Sequence, residues 1–374
     1  MTAAVTTISR SPAGRVLEIL FLACVPLTLL IGSVSAAVRS NLVAYDFDRA
    51  YLPAARLVLH GASPYVPATP AALSSQTAFV YPPIGAFLLA PVAVLPHVAA
   101  DLVMTALVVL ALPALLALLG VRDWRCLGAA LLWLPTISAV HLGTLSLPLA
   151  LGVALVWRLR GRPWRAGILL GLVVAVKLFL WPLVLWLAVT RRYKAALVAA
   201  AASGFFLVVP WIPLRGAGLA RYPHMLRVLS SLEARRGYSP AALLAKLGWS
   251  WQGAQAAGYL VGAAVLVLAV VIGRRQSRER ESLLLALVAS LALTPILWPN
   301  YLVVLLVPLG LLRPRFGPVW LAPCILFTLP VLDPRAWQIA ALLSLFAGLV
   351  VALLWTGVGR RAVYARPASE AATG

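Results

Sequence analysis

Acidic residues are scarce in this chain: ten Asp and Glu stand among 374 residues, against 31 Lys and Arg, and only 11% of the residues are charged. A composition so poor in charge and 63% hydrophobic excludes an ordinary soluble domain. The three cysteines, Cys24, Cys126 and Cys324, lie in or beside apolar segments. They read as small buried hydrophobes, and no His/Cys spacing offers a metal site or a disulfide framework. There is no Gly-rich phosphate loop, no alternating pattern of a soluble α/β domain, no repeat of the usual length and no low-complexity linker. A net charge of +21 raises the question of nucleic acid. The cations sit in short clusters between apolar runs, however, and form no groove-binding patch.

What is present is a succession of apolar segments. Val16–Ala37, Val103–Leu119, Leu197–Ile212, Ala256–Ile272 and Ala336–Trp355 each approach the roughly 20 residues that cross a bilayer core. The clusters at Arg10/Arg15, Arg122–Arg125, Arg158–Arg165, Arg191–Lys194, Arg274–Arg280, Arg313–Arg315 and Arg360/Arg361 mark the cytoplasmic side under the positive-inside rule. That rule places 38–83 and 214–253 outside as two large loops, together with Trp298–Asn300 and Asp333. Ile84–Leu95 is short and holds Pro91, so it is expected to insert only partly. Ala166–Thr190 lies between two basic clusters with Lys177 and Pro182 near its middle, which suits two short helices turning near Lys177. The expectation is an all-α polytopic membrane protein with roughly ten to twelve apolar helices in one domain over 1–364. A short disordered cytoplasmic tail follows at 365–374.

Two of the ten acids, Asp46 and Asp48, fall in the first outer loop. Arg49, Pro53, Arg56 and His60 lie at helical spacing on one face, with Leu52, Ala55 and Leu59 on another and Gly61 as the stop. That reads as an amphipathic helix on the outer leaflet. Asp48 can serve as its N-cap, which leaves Asp46 at the water–lipid boundary as the better general base. Lys177 has ten apolar positions before it. An ammonium at that depth calls for an anionic partner such as a phosphate. His141 sits at an outer turn, either as a phosphate contact or as a helix-end histidine bonded to backbone. Trp298, Pro299, Asn300 and Tyr301 interrupt an apolar run. An aromatic belt accounts for the Trp and Tyr but not for Asn300. Arg221, His224, Arg227, Arg235 and Arg236 populate the second outer loop, where headgroup or phosphate contact is the natural role.

Several of these segments resemble glycosyltransferase family 87, the polyprenyl-phosphate-mannose-dependent mannosyltransferases of the GT-C superfamily. The matching pieces are Asp46 and Phe47 with AYLPAARLVLHGASPY through Tyr65, FVYPPIGAFLLAPVAVLP (Phe79–Pro96) and HLGTLSLPLALGVAL (His141–Leu155). Ala166–Leu197, centred on Lys177, and LTPILWPNYLVVLLVPL (Leu293–Leu309) complete the set. The resemblance implies a GT-C-type fold, an aspartate in the first outer loop as base, at Asp46 or two residues on at Asp48, and a lipid-linked sugar donor. Lys177, His141 and Arg56 are then candidates for the donor phosphate. Tyr51, Tyr65, Tyr81, Asn300, Tyr301 and His224 are candidates for substrate contact. The chain departs from the family at Gly143-Thr-Leu-Ser146, where Gln or Asn is common, and at Asn300 and Tyr301, where a histidine is common.

The function expected is hexosyl transfer, with mannose the leading sugar, from a polyprenyl phosphate to an extracytoplasmic lipid or glycan acceptor. The enzyme would be inverting, in the plasma membrane with its site facing outward; no organic cofactor is called for, and the sequence leaves a divalent metal open. The partners are the bilayer, the donor and the acceptor, not nucleic acid. The alternatives are a transporter or lipid flippase, which the loop position of the acids and the lack of an inverted repeat disfavour, and an inactive family member. Asp46 substitution separates these readings.

Overall fold

The computed structural model describes residues 12–39, 44–74, 77–329 and 333–364, and among them it is helical throughout. The tail at 365–374 and the cluster at Arg10 lie outside the described residues. Five helices are long and apolar enough to cross a membrane: Pro12–Gly32, His97–Leu118, Tyr193–Trp211, Trp251–Gly273 and Ala336–Trp355. A sixth crossing arises if Trp124–Leu131 and Leu134–Leu142, bent by 68° at their junction, form one span. Five shorter apolar helices accompany them: Pro83–Ala93, Ser146–Leu159, Pro163–Val176, Leu178–Val189 and Pro299–Leu312. Helices of crossing length and apolarity therefore number five or six among the described residues, and the expected ten to twelve apolar helices are not established by this.

The long helices turn bulky side chains outward, with Val98 at 70%, Leu110 at 63% and Leu260 at 71% exposed, as a lipid-facing surface requires. Small residues face inward instead. Gly167 and Gly171 stand four apart on the Pro163–Val176 helix, and a Cβ on either would lie within 2.6 Å of the Tyr193–Val208 helix at Val198 or Ala202. Their missing side chains let the two helices approach closely, which is how helices associate in lipid.

The basic clusters meet on one side of the bundle. Glu279 pairs with Arg192 at 2.6 Å and Arg160 at 3.3 Å. Arg280 donates to the Leu311 carbonyl. Asp123 pairs with Arg125, which also reaches Glu18, and it accepts from the Phe316 amide. The segments expected on the opposite side are likewise tied to one another. Tyr222 donates to the Val80 carbonyl, the Tyr238 amide to the Leu297 carbonyl, and Lys246 pairs with Asp333. The second large loop is not a loop in structure: it folds into helices Tyr222–Glu233 and Pro240–Lys246.

The first loop also departs from its expected form. The chain enters by a π-helical turn at Phe47–Tyr51 and continues as the α-helix Leu52–Leu59, with Gly61 in the left-handed conformation. Asp48 lies inside the π turn and is no N-cap. Arg49, Pro53, Arg56 and His60 are exposed, as their spacing predicts, whereas Tyr51, Leu52, Ala55 and Val58 are buried. The helix packs Leu52 and Ala55 inward, beside the Pro83–Ala93 helix, so protein covers much of the face that was expected to rest on the leaflet, while Leu59 stays exposed. The Pro163–Val176 helix ends at Lys177, whose backbone is extended, and Leu178–Leu180 and Pro182–Val189 follow. The break expected near Lys177 is there.

Candidate active site

That break sets Lys177 into the protein interior, only 3% exposed. Its ammonium donates to the Ser146 hydroxyl at 3.1 Å and lies 3.8 Å from the centre of the Tyr301 ring and 5.6 Å from that of Tyr81. Cation–π contact partly replaces the lost hydration. Asn300 donates to both Ser146 Oγ at 2.9 Å and Thr144 Oγ1 at 3.0 Å, and Thr144 donates to Ser146 at 3.1 Å. Thr144, Ser146 and Asn300 are all buried. Their hydrogen bonds tie the Leu134–Leu142/Ser146–Leu159 junction to the start of the 3-10 segment Pro299–Leu305. Thr144 and Ser146 were not singled out from the sequence. Their spacing to Asn300 leaves no local signal.

Aromatic rings wall this centre. Tyr51 stacks on Tyr81 with centroids 5.1 Å apart, Phe79 meets both edge-on, and Phe179 stacks on Tyr301 at 5.0 Å. One buried polar atom here, Asn300 Oδ1, lacks a hydrogen-bond partner among the described residues, whereas the buried Tyr51, Tyr81 and Tyr301 hydroxyls interact with one another. Unsatisfied buried groups are rare in folded proteins, and this one offers an acceptor to a ligand.

Asp46 completes the centre. It lies one residue before the π turn, and its charge bears on Lys177, Tyr51, Tyr81 and Tyr301. Burial pushes its carboxyl up to about 6, with the Lys177 charge pulling the other way. The other eight described carboxylates, Asp48 included, all sit within ion-pair distance of a cationic side chain or imidazole. Asp46 alone among the described carboxylates does not. An acid left unpaired in such surroundings, with a proton affinity near neutrality, is suited to general-base work.

Asp48 belongs to a neighbouring clasp. His97, at the head of the His97–Leu118 helix, bridges Asp48 through Nε2 and Asp101 through Nδ1, the latter at 3.4 Å. The three residues offer ligand atoms within 4.8 Å of one another. They are the set that a divalent cation would use, but here the imidazole itself joins the carboxylates. His97 gave no signal in the sequence because it reads as a residue between Pro96 and an apolar run.

Asp46, Tyr51, Tyr81, Lys177, Asn300 and Tyr301 thus converge, while the remaining candidates sit elsewhere. Arg56 is exposed and donates to the Ala93 carbonyl at 3.4 Å. His141 is exposed at the end of the Leu134–Leu142 helix, beside a small cavity with Pro26 and Leu30. His224 is exposed on the Tyr222–Glu233 helix. Tyr65 stacks on Trp211 and donates to the Tyr81 carbonyl at 2.8 Å.

Gly143 holds Asp46 against this centre. It is left-handed, with φ +62°, and a Cβ there would fall 2.4 Å from the Ala44 Cβ and 3.2 Å from that of Phe47. Gly143→Ala is therefore expected to drive the 44–47 segment away, on top of the strain of its backbone. Overpacking of this kind costs about 1–3 kcal/mol. A fall in melting temperature in detergent, with loss of any activity that depends on Asp46, is the expected result. Unchanged melting and activity would show that the segment is not held by this contact.

The fold and the site together define a polytopic membrane protein with a buried acid–cation centre at a break between helices. The sequence model of Glycosyltransferase family 87 matches residues 79–299, more than half of the chain. The chain belongs to that family and is a membrane glycosyltransferase. The match spans Tyr81, Thr144, Ser146 and Lys177, ends just before Asn300, and begins after Asp46. No curated protein and no solved structure matches the chain.

Proposed function

We propose that the protein transfers a hexose, mannose foremost, from a polyprenyl-phosphate donor to a hydroxyl of a lipid or glycan acceptor on the extracytoplasmic side of the plasma membrane, with inversion at the anomeric carbon. The observation that carries this reading is the place of Asp46, which has no ion pair among the described residues, where its charge bears on the buried cation of Lys177. Asp46 removes the proton from the acceptor hydroxyl as its oxygen attacks the anomeric carbon. The bond to the phosphate oxygen breaks on the opposite face, and the departing polyprenyl phosphate takes the electron pair. Lys177, held by Ser146 and the Tyr301 ring, faces the negative charge that develops there. The open Asn300 Oδ1 accepts from a hydroxyl of the sugar. A donor that is itself a lipid accords with the lack of any nucleotide-binding loop.

The test is transfer by purified protein in lipid, given radiolabelled polyprenyl-phosphate mannose and a mixed lipid acceptor pool. The expected product carries the sugar with inverted anomeric configuration. A folded wild type that turns over neither this donor nor other polyprenyl-phosphate sugars would overturn the reading in favour of transport or an inactive relative.

A further inference from the structure

A second cavity lies outside the centre just described. It has a volume of about 290 Å³ and runs between residues 63–68 of the first loop and 217–225 of the second. That size is at the small end of ligand sites and suits one ring, not an oligosaccharide.

The walls of this cavity are aromatic and fixed. Tyr65 stacks on Trp211 with centroids 5.2 Å apart, and Tyr222 meets it edge-on at 5.4 Å. Both phenol hydroxyls are committed, Tyr65 to the Tyr81 carbonyl and Tyr222 to the Val80 carbonyl. Rings tethered at their polar tips present rigid apolar surface to whatever enters. Ser63 adds a hydroxyl at the rim, already accepting from the Tyr65 amide. Arg221 adds an exposed guanidinium with no carboxylate in ion-pair distance among the described residues. Arg215 and Arg227 are exposed nearby in sequence, while Glu233, the acid of this segment, is occupied by Arg236. The local field favours an anion.

We infer that this cavity is a second binding site, and that it takes a single sugar or polyol ring carrying an anionic group. Aromatic walls accept the ring, Ser63 a ring hydroxyl, and Arg221 the anion. Hydrogen bonds tie the cavity wall to the reaction centre. Its two phenols grip the carbonyls of Val80 and Tyr81, and the Tyr81 ring lies 5.6 Å from the Lys177 ammonium. Its occupant is then the headgroup of the acceptor. That last assignment rests on the proposed transferase reaction, whereas the binding does not.

The experiment is equilibrium binding without donor, using the full-length protein in phosphatidylcholine nanodiscs. The probes are methyl α-mannopyranoside 6-phosphate, methyl α-mannopyranoside and inorganic phosphate. Two surface variants report on the cavity: Arg221→Gln removes the cation, and Ala68→Phe fills the space. The sugar phosphate is expected to bind more tightly than either fragment, to weaken at least about tenfold in both variants, as loss of one charged contact implies, and to bind Asp46→Asn as it binds wild type. Competition when the discs contain phosphatidylinositol would identify a lipid headgroup as the source of the ligand. Its absence would point to a soluble glycan. Equal binding of inorganic phosphate and sugar phosphate, or wild-type binding by both variants, would overturn the inference. Wild-type binding in a protein that transfers no sugar would leave this site standing and sink the transferase reading alone.

Discussion

Asp46→Asn is expected to lower kcat/KM for glycosyl transfer by about 10²–10⁴-fold, the usual contribution of a positioned general base. Asn keeps the shape and one acceptor but cannot take the proton. Asp48→Asn, two residues on, is the informative control. It removes one partner from the half-exposed clasp with His97, so its effect should not exceed about fivefold, the size of such an ion pair. The pH dependence carries the same assignment. Burial holds the Asp46 carboxyl at about 6, so the base is ionised above that pH and protonated below it. On the acid side kcat/KM is expected to fall tenfold per pH unit, and this limb should vanish in the residual activity of the Asn variant. The sign for stability runs the opposite way to activity. A carboxyl raised above its unfolded value of about 3.9 costs the folded state stability progressively as pH rises from there to about 6, and the full cost, roughly 3 kcal/mol, is present above that. The Asn variant should therefore melt no lower than wild type at pH 7. A variant that is inactive because it is unfolded would fail that check. If Asp48→Asn abolished transfer while Asp46→Asn left it intact, the base would be the clasp acid and the proposed geometry would be wrong.

Much of this centre was legible in the sequence because charge is so rare there. A lysine after ten apolar residues, an asparagine amid an apolar run and two acids in one loop each stand out against a background without polar groups. That the basic clusters gather together was also legible, since the positive-inside rule acts on composition and not on packing. Other parts were not. Asp46, Arg49, Pro53 and Arg56 share one helical face at 3.6 residues per turn, so periodicity puts the acid with the exposed arginines. The π turn at Phe47–Tyr51 widens that turn and breaks the register, which leaves Arg49 exposed and Asp46 partly buried. Single π turns of this kind occur often at functional sites, but composition does not announce them. Thr144 and Ser146 were hidden for a different reason. Gly143–Ser146 carries two hydroxyls and no amide side chain, a sparse polar set when read on its own. The structure recovers a polar cluster by bringing Asn300 to both hydroxyls across more than 150 residues of chain. Which polar groups meet across such distances is a property of the packed bundle, not of any window of sequence.

Lys177→Met tests the other half of the mechanism. Removing a cation aimed at a developing negative charge is expected to lower kcat by about 10²–10³-fold, as loss of a preorganised electrostatic contact does elsewhere. Donor KM should change less, because the charge on the leaving phosphate grows only as the bond breaks. Met matches the length of the lysine stem and carries no charge, so Ser146 and Asn300 keep their mutual hydrogen bond at 2.9 Å. Burying the apolar side chain also removes the desolvation cost of an ammonium that is 3% exposed, so melting in detergent should hold or rise. Lys177→Arg is not expected to rescue. The ammonium fits between the Ser146 hydroxyl at 3.1 Å and the Tyr301 ring at 3.8 Å, and a planar guanidinium needs more room and a different fork of acceptors. An Arg variant with wild-type kcat would show that charge alone suffices at this position. A Met variant with wild-type kcat/KM would remove Lys177 from the reaction and leave it a structural cation, stabilising the break between the two helices that it joins.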